Sequence, residues 1–292
     1  MVVVAGSPAF AGAAALCCAG AARSGAGIVS AALPRSIAQV VVGLVPEVTV
    51  VILPEGDSNS VASRAASAIA ERLRKSAALV AGPGLGDDEA TAALLAALFG
   101  FQKVRGSIGF GAAGHDGSGA SNDVFATSDI PVVLDADGLN WLAKQDRWWE
   151  RTPEARLVLT PHVGEMARLR DIDIADVLAN PVHVAREAAA EWRQTVVLKG
   201  NPTLVASPGG EMMSAESPTS LATAGSGDVL SGSIGAFLAQ GLTASDAAGL
   251  AAFIGSRAAD RVARRYGTLG VVAGDLPQAM AEELCALEAI GA

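Results

Sequence analysis

Chemistry in this sequence is concentrated where glycine runs, which expose backbone amides, stand next to single charged side chains. The densest such segment is Ala224-Gly225-Ser226-Gly227-Asp228-Val229-Leu230-Ser231-Gly232, which leads into an uncharged stretch that reads as a helix to about Gln240. Small residues let the backbone approach a ligand closely, and a helix start offers free N–H groups to an anion. Gly225, Ser226 and Gly227 are therefore the candidate anion hole. An aspartate in a first helical turn commonly caps the helix or offsets its dipole. A carboxylate beside a bound phosphate is costly, however, unless it takes a proton or places a metal. Because the glycines precede it, Asp228 is read as catalytic rather than as a cap.

Lys199-Gly200-Asn201-Pro202-Thr203 is the second such segment. A lysine at a strand end can meet a phosphate, and a Gly-Pro turn exposes backbone donors; a tight turn with a solvated lysine is the plainer alternative. His162 is the one histidine on a motif loop, Thr160-Pro161-His162-Val163-Gly164-Glu165, with His115 and His183 elsewhere. Its type and place fit either a structural hydrogen bond or a ligand contact. Three more glycine or acidic runs, Gly6-Ser7-Pro8-Ala9-Phe10-Ala11-Gly12-Ala13, Gly82-Pro83-Gly84-Leu85-Gly86 and Asp135-Ala136-Asp137-Gly138-Leu139-Asn140, follow apolar runs. Each alone fits ordinary turn geometry; their coincidence after successive strands is the stronger signal. The first run has neither the P-loop ending nor the G-x-G-x-x-G dinucleotide spacing. No Ser-His-Asp order, no H-E-x-x-H and no paired cysteine ligands occur.

The elements that must position these residues follow from periodicity. Short apolar runs alternate with Ala-rich helical segments, the pattern of a mostly parallel sheet covered by helices on both faces. The expected strands are Val2 to Ala5, Ile28 to Leu33, Val48 to Leu53, Ala77 to Ala81, Val132 to Asp135, Leu157 to Thr160 and Thr195 to Lys199. Several are apolar at every position, as doubly buried strands should be. Thr203 to Ala206 and Glu211 to Met213, joined by Ser207-Pro208-Gly209-Gly210, read as an edge hairpin. Scaffold helices are expected over Ser60 to Lys75, Asp87 to Phe99, Val182 to Arg193 and Ala244 to Arg265. The uncharged stretch Met1 to Ala22, broken by Gly6, Ser7, Pro8 and Gly12, reads as strand, turn and helix rather than a membrane span or signal peptide. Composition turns to Gly, Ser, Ala and Asn over Gly100 to Ser128, and Gly106 to Asn122 reads as a long surface loop or disordered insertion. No repeat or second-domain boundary is visible, so residues 1–292 read as one domain.

The net charge of −9, without a Lys/Arg-rich run, argues against nucleic-acid and membrane-surface partners. Three cysteines without C-x-x-C spacing argue against a disulfide framework or zinc ribbon and favour a cytoplasmic location.

Taken together and in order, Gly6-Ser7 with Gly12-Ala13, Arg23-Ser24-Gly25-Ala26-Gly27, Gly82 to Gly86, Leu134 to Asp137, Thr160-Pro161-His162 with Gly164-Glu165, Lys199-Gly200 with Thr203, and Gly227-Asp228 resemble the ADP-dependent NAD(P)H-hydrate dehydratases of the ribokinase-like superfamily. The likeness covers nearly the whole chain. It implies a ribokinase-like three-layer α/β/α fold and a carbon–oxygen lyase that returns (S)-NAD(P)H hydrate to NAD(P)H, with ADP as phosphoryl donor and AMP and phosphate released. By the same likeness Asp228 is the catalytic aspartate; Ala13, Gly84, His162 and Asp228 contact the hydrate; Lys199, Gly200, Asn201, Pro202, Thr203 and Gly227 contact ADP. Mg²⁺ is expected to bridge the phosphates, with no residue assigned as a metal ligand. The likeness further implies a homo-oligomer, a homotetramer being one form, and functional pairing with an NAD(P)H-hydrate epimerase. The sequence departs from the family pattern at three points: Ala224 stands where a first glycine is usual, the Gly100 to Ser128 segment is longer, and the chain starts directly at the first motif strand, where relatives carry preceding residues or an epimerase domain.

Two other readings stand beside this one. An ATP-dependent kinase of the same superfamily, acting on a hydroxymethylpyrimidine or hydroxyethylthiazole type of alcohol, would use a similar loop and aspartate. A non-catalytic nucleotide-binding module would keep the loop and lose turnover.

Overall fold

The computed structural model describes residues 1–56, 58–101 and 123–291. Among them one nine-stranded sheet runs through the molecule, formed by β1 (Val2–Val4), β2 (Ser30–Pro34), β3 (Thr49–Leu53), β4 (Leu79–Ala81), β5 (Val132–Leu134), β6 (Leu157–Leu159), β7 (Thr195–Leu198), β8 (Thr203–Ala206) and β9 (Met212–Ala215). The order is β3-β2-β1-β4-β5-β6-β7-β8-β9, parallel through β7 and antiparallel from β7 to β9. The expected mostly parallel sheet is therefore present.

Helices lie on both faces, as expected. They are α1 (Ala11–Arg23), α2 (Arg35–Leu44), α3 (Asn59–Leu73), α4 (Glu89–Leu98), α5 (Val124–Thr127), α6 (Asp137–Leu142), α7 (Val163–Arg170), α8 (Ile174–Ala179), α9 (Pro181–Trp192), α10 (Ser226–Ala239), α11 (Ala244–Tyr266) and α12 (Leu276–Gly291). Side chains alternate across a strand, so Val2, Leu79, Val132, Leu157 and Val196 join one core with α3 to α9. Val3, Val80, Val133, Val158 and Val197 join the other core with α1, α2, α10, α11 and α12. The two-sided burial of β1, β4, β5 and β6 accounts for their wholly apolar sequences.

Two expectations are adjusted. The hairpin's second strand is Met212–Ala215, one residue beyond the expected start, because Glu211 closes the turn: Ser207 N–H donates to the Glu211 carbonyl at 3.0 Å. The Gly106 to Asn122 reading lies outside the described residues. The end of that composition shift is ordered as α5, started by Asp123, whose Oδ1 accepts from Phe125 N–H at 2.9 Å, with Val124 buried.

Parallel strands send their carboxyl ends to one edge, and the chain leaves β1 toward β2 and β3 on one side and toward β4 to β7 on the other. The reversal between β1 and β4 is where open α/β sheets leave a crevice for ligands. Close packing holds the helix that faces it. A β-carbon on Gly232 of α10 would come within 2.0 Å of the Cys17 carbonyl oxygen, and one on Gly20 of α1 within 2.5 Å of the Val229 carbonyl oxygen. The two helices approach to backbone contact because neither position carries a side chain. Gly232→Ala is therefore expected to force α10 outward and to cost about 1–3 kcal/mol of stability, the scale of an overpacked core; urea unfolding measures it, and a change below about 0.5 kcal/mol would show that α1 and α10 can separate freely.

Candidate active site

Five strand ends build the site. After β1, the Gly6 N–H donates to the Pro83 carbonyl at 2.8 Å, which ties the first loop to the one after β4. Gly84 has φ +62°, and a β-carbon there would meet Phe10 Cβ at 2.7 Å and Ala13 Cβ at 2.8 Å. Only a residue without a side chain fits that contact. Ala13 and Gly84, both expected at the hydrate, are thus close neighbours where the loops after β1 and β4 meet. Leu16, one helical turn beyond Ala13, leads toward the glycine loop: a β-carbon on Gly225 would lie 2.4 Å from Leu16 Cδ1 and 3.7 Å from Asp228 Oδ2.

Gly225 starts α10 with φ +92° and no side-chain cap, so Asp228 stands in the first turn without capping it. Among the described residues its carboxylate is assigned no hydrogen bond. Burial pushes the Asp228 carboxyl up to about 7, the neighbouring Asp135 and Asp137 add to the rise, and Lys199 works against it. A carboxyl in that range can accept a proton near neutral pH. Ala224 does not take a positive φ, so alanine is accommodated where a glycine was expected.

Lys199 leaves β7 beside this turn. Its N–H donates to the Pro161 carbonyl at 2.8 Å, which places it next to His162. Its Nζ donates to Asp135 Oδ1 at 2.7 Å and stands 3.8 Å from Glu165 Oε2; Asp135 and Glu165 are almost wholly buried. Burial opposes the charge on Lys199, but the carboxylates of Asp135 and Glu165 outweigh it and raise its pKa above the ordinary value. The plainer reading of Lys199 as a solvated turn residue does not describe this environment.

His162 caps α7. Its Nδ1 accepts the N–H groups of Gly164 at 2.9 Å and Glu165 at 3.2 Å, while Glu165 Oε2 accepts the His162 N–H at 2.7 Å. With Nδ1 occupied as an acceptor, Nε2 carries the ring hydrogen and can donate it. The structural role foreseen for a lone histidine is thus present in the fold.

A cavity of about 490 Å³ opens beside these groups. His162, Lys199, Gly200, Asn201, Thr203, Ser226 and Gly227 line it; Ala13, Gly84, Pro202, Gly225 and Asp228 do not. The expected ADP residues are gathered here except Pro202, and His162 stands with them rather than with Ala13 and Gly84. The rest of the wall escaped sequence reasoning: Glu216 to Thr219, Leu221 and Ala222 from the segment after β9, Ala251, Ala252 and Gly255 on α11, and Leu276 and Met280 on α12. The spacing of Ala251 with Gly255 and of Leu276 with Met280 is one helical turn, a signal that core helices share. No group of three ligating side chains surrounds a common point among the described residues.

A family model described as NAD(P)H-hydrate dehydratase matches residues 1–282. The bifunctional NAD(P)H-hydrate repair enzyme Nnr of Moorella thermoacetica is 34% identical over 277 residues, covering 94% of this chain and 47% of that protein. The ADP-dependent (S)-NAD(P)H-hydrate dehydratase of Neisseria meningitidis serogroup B is 44% identical over 155 residues, 52% of each. The chain thus spans about half the length of these curated relatives. In fold it is similar to the solved ADP/ATP-dependent NAD(P)H-hydrate dehydratase of Bacillus subtilis, co-crystallised with ATP/Mg²⁺, with a TM-score of 0.73, 24% identity and coverage of 96% of this chain and 87% of that one.

The raised Asp228 carboxyl has a consequence for stability. Between the ordinary carboxyl range and about pH 7 the folded chain holds a proton that the unfolded chain has released, so stability falls as pH rises through that window. Asp228→Asn carries no such charge. Its Tm is expected to exceed the parent's at about pH 8, by about 2–4 °C per kcal/mol recovered, with the gap closing toward about pH 5. Melting curves across that range check it, and a gap independent of pH would remove the buried charge as its cause.

Proposed function

The chain belongs to the NAD(P)H-hydrate dehydratase family, and from that premise we propose that it converts (S)-NAD(P)H hydrate to NAD(P)H with ADP as phosphoryl donor, releasing AMP and phosphate. The observation that carries this reading is the position of Asp228. It stands in the first turn of α10, next to Ser226 and Gly227 of the cavity wall and within the charge field of Lys199 and Asp135, with its carboxyl pushed up to about 7 by burial.

On this reading the cavity takes the nucleotide, its apolar wall of Leu221, Val229, Leu230 and Met280 receiving a flat ring system. Lys199 and the amides of Ser226 and Gly227 at the start of α10 meet the phosphates. The hydrate lies in the crevice with its hydroxyl toward Asp228. Asp228 accepts that proton while the hydroxyl oxygen bonds to the β-phosphorus of ADP and the bond from that phosphorus to the bridging oxygen breaks, releasing AMP. Departure of phosphate from the ring carbon, with loss of a proton from the neighbouring carbon, restores the reduced ring. Proton transfer to a placed carboxylate is worth about 10²- to 10⁴-fold, and positioning with charge stabilisation supplies most of the remainder.

Mg²⁺ belongs to the proposal as an ion carried on the phosphate chain. It would neutralise phosphate charge when bound, and no residue of this chain is assigned to hold it. The word bifunctional in the Moorella relative's name supports pairing with an epimerase activity. Exposed Val40 and Leu44 on α2 and Ile52 on the edge strand β3 support self-association. No helix among the described residues is long and apolar enough to cross a membrane; a cytoplasmic site of action is part of the same proposal.

The test mixes purified protein, (S)-NADH hydrate, Mg²⁺ and ADP, and follows reduced-nicotinamide absorbance together with AMP. Equal amounts of NADH and AMP are expected, with kcat/KM falling below an apparent pKa near 7 as Asp228 takes up a proton. Asp228→Asn is expected to lose at least about 10²-fold in kcat while still binding ADP. Consumption of ATP with a pyrimidine or thiazole alcohol, and none of the hydrate, would replace this reading with the kinase one.

A further inference from the structure

Asp135 is not among the expected ligand contacts, but it touches one of them, Lys199. It is almost wholly buried, 1% exposed, and does not line the cavity. Its carboxylate nevertheless decides where the nearest cation to the glycine loop sits. Oδ1 takes the Lys199 ammonium at 2.7 Å and also accepts the N–H of Ala136 at 2.9 Å. That second bond is made inside a strained turn, since Ala136 has φ +48° and ψ −115°, a conformation an alanine avoids. The carboxylate is thus held by its own backbone, and the ammonium is held by the carboxylate.

The place it is held faces the glycine loop. A β-carbon on Gly227 would stand 3.3 Å from Lys199 Nζ and 3.8 Å from Asp135 Oδ2. The missing side chain leaves the ammonium open toward the first amides of α10. An ammonium has three donors; one bonds Asp135 and Glu165 stands at 3.8 Å, beyond bonding distance, which leaves donor capacity for an incoming anion. A free lysine would have to give up side-chain freedom and water when the nucleotide bound.

Resting on the nucleotide reading above, we propose that Asp135 is a positioning residue that fixes the Lys199 ammonium beside Gly227 before the nucleotide's phosphate chain arrives. Asp135 then acts through Lys199 alone, and the two residues should behave as one unit toward nucleotide.

A double-mutant cycle tests this with ADP binding measured by calorimetry, which requires no turnover, alongside KM for ADP and for the hydrate. Asp135→Asn should weaken ADP binding about tenfold or more, the scale of one charged hydrogen bond, and raise KM for ADP while KM for the hydrate stays within about twofold. Asp135→Glu, which keeps the charge and moves it by one methylene, should recover part of the affinity. Adding Asp135→Asn to Lys199→Ala should cost nothing further, because the residue it positions is gone. ADP affinity of Asp135→Asn within twofold of the parent, or a fully additive double variant, overturns the proposal. Unfolding of both Asp135 variants also overturns it, since the carboxylate would then serve the fold. If the parent binds ADP and the cycle is coupled but the hydrate is not turned over, the dehydratase reading fails while the placement of Lys199 stands; turnover with an additive cycle gives the reverse.

Discussion

A single ammonium among three carboxylates sets the chemistry of this sheet edge. Lys199 stands against Asp135 and Glu165, both nearly free of solvent contact, and its charge also reaches Asp228. Two buried carboxylates without a cation would each carry a large desolvation cost. They in turn outweigh the cost of burial for the cation and hold its pKa above the ordinary value. Asp228, without such a partner at bonding distance, takes what burial and the other acids leave it, a carboxyl that titrates near 7. The same cluster therefore holds a fixed positive charge and a carboxyl that titrates near 7, and the difference between the carboxylates lies in which one the ammonium touches.

That difference depends on backbone approach. The start of α10 reaches the ammonium because Gly227 has no side chain, and α10 reaches the sheet because α1 passes it at backbone contact through Gly20 and Gly232. Buried Cys17 and Ser231 fill what remains of that seam, with Sγ and Oγ 3.9 Å apart. Bulk added at Gly20 or Gly232 would meet backbone of the facing helix, and the helix it would push carries Asp228 in its first turn. A run of small residues in these helices thus has a chemical reason in addition to a packing one.

How much of this could be read from residues alone follows from the same physics. Strands buried on both faces are apolar throughout, and β1, β4, β5 and β6 were visible for that reason. Glycines forced to positive φ or close contact, at Gly84 and Gly225, stood out as motifs. The helices α2 and α12 did not, since α2 follows Pro34 directly without a polar cap and α12 carries no motif. The cavity wall from Glu216 to Ala222 and the turns of α11 and α12 were equally hidden. Residues that enclose an apolar ligand look like core residues, because both exclude water. The weight on Asp135 was hidden for another reason: its partner, 64 positions away, is set by strand order, which no local pattern records.

On the proposed reading, the two ligands of this edge are recognised in different ways. On the side proposed for the nucleotide, side chains line the cavity: Lys199 carries charge, and Leu221, Leu230 and Met280 form an apolar wall. On the opposite side the crevice is shaped by Ala13, Gly84 and the backbone of Phe10, with contacts too tight for an added β-carbon. An acceptor placed there, as proposed, would be selected chiefly by shape and by backbone groups. Phosphoryl transfer to a hydroxyl asks for a base, a cation and an anion loop, and the same three would serve a kinase. On the proposed reading the protein's task is to deliver phosphate to one hydroxyl; the step that follows is dictated by the acceptor, because a phosphate on a carbon beside the ring nitrogen departs readily while one on a simple alcohol stays. The distinction between repair and ordinary phosphorylation then resides in the crevice between β1 and β4, which decides what hydroxyl reaches Asp228.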